Sequence, residues 1–233
     1  MKILLLVTGG RGGSDFFQGL LDSHSEILQF PGLFMHEDVF KILDLRDPYK
    51  ISNKFIKTFP NFFNSKVSTQ LSQRERHDRL GPKKNKSYKV SEKKFIKYFV
   101  DLSHKKKLSK RVDVLKNLHV AYDLAKGKKA GVKKLVFVHT HIVNFTKRFI
   151  NFIDDKDITI IHTMRNPLSA INSPIKNWLN FQNGENFLPM SLYFQLDLAF
   201  NGIKDLVMMK KKVFIIQLEK LHWNHKKVMK DFC

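Results

Sequence analysis

Apolar and polar residues fall in blocks along this chain, and the period of the blocks changes as the chain proceeds. Residues 2–8, KILLLVT, form a short apolar run closed by glycines, which predicts a buried strand. From Ser14 to about Leu28 the apolar positions are 16, 17, 20, 21, 27 and 28. That is helical spacing, interrupted near DSHSE. The opening therefore reads strand, glycine loop, helix. Strand patterns return at 134–141 (KLVFVHTH), 158–165 (ITIIHTMR) and 213–221 (VFIIQLEKL), each ending in polar residues. Helical NFTKRFINFI separates the first two, and a helix-like tail follows the third. Strands alternating with helices predict an α/β fold with a mainly parallel sheet. Ligands gather at the carboxyl ends of such strands, and the polar clusters of this chain lie there.

The middle, about 36–130, is less regular. HEDVFKILDL and SEKKFIKYFVDL carry amphipathic helical patterns, and Ser91 is a suitable start for the second. Between them RERHDRLGPKKNKSYK is polar, basic and broken by Gly81-Pro82, the composition of a mobile loop. A basic helical stretch, HKKKLSKRVDVLKNLHVAYDLAKGKKAG, ends in glycines. Charge runs of this kind are generally a solvated helix face.

Composition narrows the class. At 233 residues the chain can bury one sizeable core. The expectation is a single domain over 1–233, with a helical, basic insertion at about 36–130. Its one cysteine, Cys233, excludes an internal disulfide, which agrees with a reducing compartment. The apolar run ILLLV is five residues long and has no cleavage site after it, so it does not read as an export signal. Nothing approaches the roughly 20 apolar residues that span a bilayer. These features predict a cytoplasmic protein without a transmembrane segment. A formal net charge of +21 implies attraction to anions, such as nucleotides, nucleic acid, anionic glycans or a membrane face. The excess is mostly lysine, and Lys, Asn, Ile and Phe are common throughout. Codon usage in an AT-rich genome accounts for it equally well, so the charge selects no ligand by itself.

The sharpest chemistry lies in GGRGGSDFF, residues 9–17. A strand that turns through glycines into a helix aims backbone N–H groups into a concavity, and glycine permits close approach. Arg11 adds a permanent positive charge and Ser14 a hydroxyl. The pattern of a nucleotide-binding P-loop, G-x-x-x-x-G-K-S/T, is not met, nor is G-x-G-x-x-G. Read alone, a glycine-rich first turn is often only a tight turn. A second cluster is IHTMRNPLSAINSP: Arg165 follows a strand, Pro167 suits an early helical position, and Ser173 lies eight residues after Arg165. On a helix eight residues is slightly over two turns, so an arginine and a hydroxyl at that spacing can converge on one phosphate. A third is His139-Thr140-His141, where a strand-end histidine is a natural general base. The alternating histidines lack a nearby Cys or carboxylate that would complete a metal set.

Together the three clusters resemble the sulfotransferases that use 3′-phosphoadenylyl sulfate (PAPS), especially bacterial and carbohydrate-type members. RGGSD is similar to that family's K/R-x-G-S/T-S/T loop, FFQGLLDSHSEI to its continuation, RNPLSAINS to its 3′-phosphate motif, and IIQLEKL to its late YEDL element. The resemblance implies a three-layer α/β/α, P-loop NTPase-like fold. It implies donor binding by Arg11, Gly12, Gly13, Ser14, Asp15 and Phe16 at the 5′ end, and by Arg165 and Ser173 at the 3′-phosphate. Arg11 and His141 would be catalytic: Arg11 neutralises the leaving phosphate, and His141 takes the acceptor proton. The acceptor would be a small molecule or glycan hydroxyl or amine; no specific nucleic acid partner and no metal are expected. Two positions depart from the pattern, since His139 stands where the family has lysine and Asp15 where it has a hydroxyl. The ending EKLHWNHKKVMKDFC stops where family members continue, which suggests a shortened C-terminus. Two other functions stay open: a nucleotide or sugar kinase with an altered P-loop, and a non-catalytic polyanion-binding relative.

Overall fold

The computed structural model describes residues 1–8, 12–22, 24–34, 38–67, 81, 83–105, 108–127, 132–140, 143–166, 168–172, 197, 201, 204–209 and 211–232. Five strands form one all-parallel sheet flanked by helices: β1 (Lys2–Thr8), β2 (Ile27–Gln29), β3 (Leu135–Thr140), β4 (Ile158–Met164) and β5 (Val213–Gln217). Their spatial order is β2-β3-β1-β4-β5. Ile27, Leu28 and Gln29 pair with Leu135, Val136 and Phe137, and Ile160 to Met164 pair with Val213 to Gln217. β1 takes the middle position, and Ile3, Leu5, Leu6 and Val7 are fully buried. A continuous apolar run suits a parallel strand covered on both faces. The α/β class and the parallel sheet agree with the sequence reading.

The chain leaves β1 toward β2 on one side and leaves β4 toward β5 on the other. Parallel sheets generally bind ligands beyond the carboxyl ends of strands at such a reversal.

One expected element is corrected. The first helix, α1 (Ser14–Leu20), does not continue to Leu28; it stops at Leu20, and Ile27–Gln29 is β2. His24 builds the turn between them, with the Glu26 N–H donating to Nδ1 of His24 at 3.2 Å. A pair of apolar residues satisfies helical and strand patterns alike, and pairing with β3 decides for the strand.

Contacts divide the chain into two compact units. The first comprises Met1–Ile3, Asp22–Val138 and Phe149–Asp157, and includes the basic stretch at about 36–130. Its helices are α2 (Asp38–Asp44), α3 (Pro48–Thr58), α4 (Pro60–Phe63), α5 (Glu92–Lys105) and α6 (Arg111–Ala125). Asp47 caps α3 by accepting from the N–H groups of Tyr49 and Lys50, ahead of Pro48 in the first turn. Ser91 caps α5, its Oγ accepting from the Lys94 N–H at 3.3 Å. Phe30, Phe34, Phe55, Phe59, Phe62, Phe63 and Phe95 are buried together in a ring-against-ring core. The end of the segment read as a mobile loop is held instead: Lys89 bridges Asn64, and the Tyr88 hydroxyl donates to the Asn61 carbonyl at 2.9 Å.

The second unit comprises Leu4–Leu21, His139–Arg148 and Ile158–Cys233. It holds α1, the carboxyl ends of β1 and β3, the start of α7 (Val143–Ile153), all of β4 and β5, and two C-terminal helices, α8 (Leu218–Trp223) and α9 (His225–Phe232). Phe232 of α9 packs edge-on against Phe17 of α1 and Phe214 of β5.

Candidate functional site

The polar clusters singled out in the sequence lie in the second unit, at the carboxyl ends of its strands. β1 ends at Thr8, and the chain re-enters the described residues at Gly12. A Cβ at Gly12 would lie 2.3 Å from the Thr8 Oγ1 and 2.7 Å from the Thr163 carbonyl oxygen. Gly13 has φ +81°, and a Cβ there would lie 2.2 Å from Cδ1 of Leu218. Both glycines are therefore required on steric grounds, and Gly13 on backbone grounds as well. The turn presses directly onto the end of β4 and the start of α8.

α1 sorts the next residues by face. Ser14, Phe17 and Gln18 turn inward, at the i, i+3, i+4 spacing of a buried stripe, while Asp15 and Phe16 turn outward. Asp15 thus stands on the solvent side of the first turn, where a carboxylate favours the helix. The Phe16 ring stacks on His222 of α8 with centroids 4.5 Å apart.

Gln18 was not singled out in the sequence, although it is a polar residue on an otherwise apolar helix stripe. Its Oε1 lies 2.6 Å from Nδ1 of His139, which is 1% exposed. A carbonyl oxygen can only accept, so Nδ1 of His139 carries the proton and Gln18 sets the tautomer and ring orientation. The next residue, Thr140, faces Thr146 with their hydroxyl oxygens 3.5 Å apart.

At the end of β4, the Thr8 hydroxyl donates to the Thr163 carbonyl at 3.4 Å. Burial pushes the His162 imidazole below its ordinary pKa, opposed by a hydrogen bond to the Val7 main chain. Thr163 Oγ1 is buried without a hydrogen-bond partner among the described residues.

Arg165 stands just beyond this strand and is half-buried. Its guanidinium makes no hydrogen bond or ion pair among the described residues. Asn166 begins the helical turn of residues 168–172, its Oδ1 accepting from the N–H groups of Leu168 and Ser169 at 3.0 and 3.4 Å. That agrees with a helical start after Arg165. The Asn166 N–H donates in turn to Oε1 of Glu219 at 2.9 Å, a contact no sequence spacing announces.

Gly12, Gly13, Ser14, Asp15, Phe16 and Arg165 are thus at the strand ends of one unit, and the glycine turn touches the strand that carries Arg165. Arg11, His141, Pro167, Ser173 and Cys233 lie outside the described residues. Among the described residues, no group of three or more His, Cys, Asp or Glu side chains is placed to hold a metal ion, and no helix is long and apolar enough to cross a membrane. No protein-family model matches the chain, nor does any curated protein.

Proposed function

We propose that this chain is a sulfotransferase of the three-layer, P-loop-like type, moving a sulfuryl group from PAPS to a hydroxyl or amine acceptor. The observation that carries the reading is the Gly12-Gly13 turn, which has no room for a Cβ and lies against the strand leading to Arg165. A glycine turn that passes from a strand end into a helix can admit an anion against its backbone, and Arg165 just beyond the adjoining strand offers a second, separate cation. Two anion sites on neighbouring strand ends suit a donor with both a phosphosulfate and a 3′-phosphate.

In this scheme the acceptor atom bonds to sulfur as the bond from sulfur to the bridging phosphate oxygen breaks. The electron pair leaves with the phosphate, giving adenosine 3′,5′-bisphosphate. Arg11 neutralises the leaving oxygen, His141 receives the acceptor proton, and Arg165 with Ser173 holds the 3′-phosphate. His139, oriented by Gln18, stands where the sequence pattern of the resembled family has lysine.

Binding separates the alternatives. Adenosine 3′,5′-bisphosphate is expected to raise the melting temperature more than ATP with magnesium, and Arg165→Ala to weaken it by roughly 10- to 100-fold, the value of a charged hydrogen bond. Undiminished transfer from labelled PAPS by Arg11→Ala overturns the assignment. A preference for ATP supports the kinase. The second reading, polyanion binding, is favoured by exposed lysines of α3 and α5: Lys50, Lys57, Lys93, Lys94 and Lys97 have no ion-pair partner among the described residues. It predicts steep salt dependence in heparin binding with no nucleotide selectivity.

A further inference from the structure

We propose that the short helix α8 is a clamp that holds the glycine turn and the Arg165 turn at a set spacing, with Glu219 as the positioning residue for Arg165. This rests on the reading of those two turns as the donor's anion sites. Three side chains of α8 reach three parts of that region. Leu218, 7% exposed, fills the space that a Cβ at Gly13 would need. Glu219 receives the Asn166 N–H, and the His222 ring stacks on Phe16 at the start of α1. Leu221, fully buried, anchors the helix in the core, so the three contacts are made from a fixed platform.

Glu219 reaches Arg165 through the main chain of the neighbouring residue. One carboxylate oxygen is used by Asn166, while Oε2 is buried without a hydrogen-bond partner among the described residues. An unsatisfied carboxylate oxygen is costly and is removed from most structural positions. The neighbouring residue in sequence to its partner is Arg165, whose guanidinium likewise makes no ion pair or hydrogen bond among the described residues. By holding the Asn166 N–H, Glu219 fixes the main chain at the residue next to Arg165, and with it the position from which the arginine side chain reaches. When an anion binds, Arg165 turns to it without the turn itself moving, because the Asn166 N–H stays on Oε1.

Glu219→Ala and Glu219→Gln test the clamp. Gln keeps a carbonyl acceptor for the Asn166 N–H, so it preserves the fold of the turn if Ala does not. Amide hydrogen exchange at Asn166 is expected to accelerate in Glu219→Ala and to stay near wild type in Glu219→Gln. Affinity for adenosine 3′,5′-bisphosphate is expected to fall about tenfold in Glu219→Ala, within the range for residues that share one network. In an Arg165→Ala background the same change is expected to cost nothing further, because Glu219 acts through Arg165. Unchanged exchange at Asn166 in Glu219→Ala overturns the proposal, and so does an equal loss of affinity with and without Arg165. Should the wild-type chain bind no bisphosphate, the sulfotransferase reading fails by itself. The exchange rate at Asn166 then still decides whether Glu219 holds the turn.

Discussion

The two units bury different things. In the first, Phe55 lies among the rings of Phe30, Phe34, Phe59, Phe62, Phe63 and Phe95, with centroids 5.0 to 6.3 Å apart. In the second, the adjacent strand ends of β3, β1 and β4 bury His139, Thr140, Thr8, His162 and Thr163, each no more than 3% exposed. Burying a large apolar side chain contributes roughly 1.5–3 kcal/mol, whereas a buried polar group without a partner costs about 1–3 kcal/mol. Among the described residues the first unit also holds unpartnered buried polar atoms, at Gln29, Asn117 and His119, set around a large aromatic core. The second gathers its own at Nε2 of His139 and at His162 and Thr163, on strand ends of the kind where a parallel sheet binds its ligands.

Removing one ring from the aromatic core attacks the comparison where the effect is largest. Phe55→Ala is expected to lower unfolding stability in urea by about 3–5 kcal/mol, the cost of deleting a fully buried phenyl ring. A loss under about 1 kcal/mol would mean that the rings are loosely packed and the contrast between the units is illusory.

The imidazole inside that core gives the next effect. His119 packs 4.0 Å from the Phe30 ring centroid, and its Nδ1 donates to the Leu115 carbonyl at 2.8 Å. Burial pushes its pKa down to about 4, against the pull of the Leu115 and Phe137 main chains. Well above pH 6.5 both folded and unfolded chains hold the ring neutral, so it adds no pH dependence. Between pH 6.5 and 4 the unfolded chain takes a proton that the folded chain refuses. Stability therefore falls as pH falls, by about 3 kcal/mol in all, and levels off below the folded value. Chemical denaturation of wild type and His119→Leu at pH 7 and pH 4.5 measures this. The variant is expected to lose most of the slope, with a remainder from His162, whose pKa is also lowered. An equal slope in both chains would place the titration elsewhere.

The smallest effect has the opposite sign. Thr163→Val keeps the shape of the side chain and removes a buried hydroxyl that lacks a partner among the described residues. Stability is expected to be unchanged or raised by up to about 1 kcal/mol. A clear destabilisation in the same denaturation assay would show that the hydroxyl is satisfied, and that this strand end is ordinary core.

Much of this was legible in the sequence, for local reasons. The runs that became β1, β3, β4 and β5 are apolar and end in polar residues, so the sheet and its ligand side follow from pattern. Ser91 carries a cap preference that needs no tertiary context. α3 was readable but missed, since Asp47-Pro48 is itself a start signal. β2 was unreadable, because three residues acquire strand geometry only by pairing with Leu135 to Phe137.

The candidate site divides in the same way. Glycines, an arginine beyond a strand and a histidine at a strand end are residue types whose chemistry is intrinsic, and the sequence by itself determined that Gly12, Gly13, Arg165 and His139 merit attention. Only the tertiary structure decided what holds them. Gln18 reaches His139 across 121 positions, Glu219 reaches Asn166 across 53, and Leu218 closes on Gly13. Such contacts carry no spacing signature, because the distance between two strand ends is set by sheet order and not by the number of residues between them.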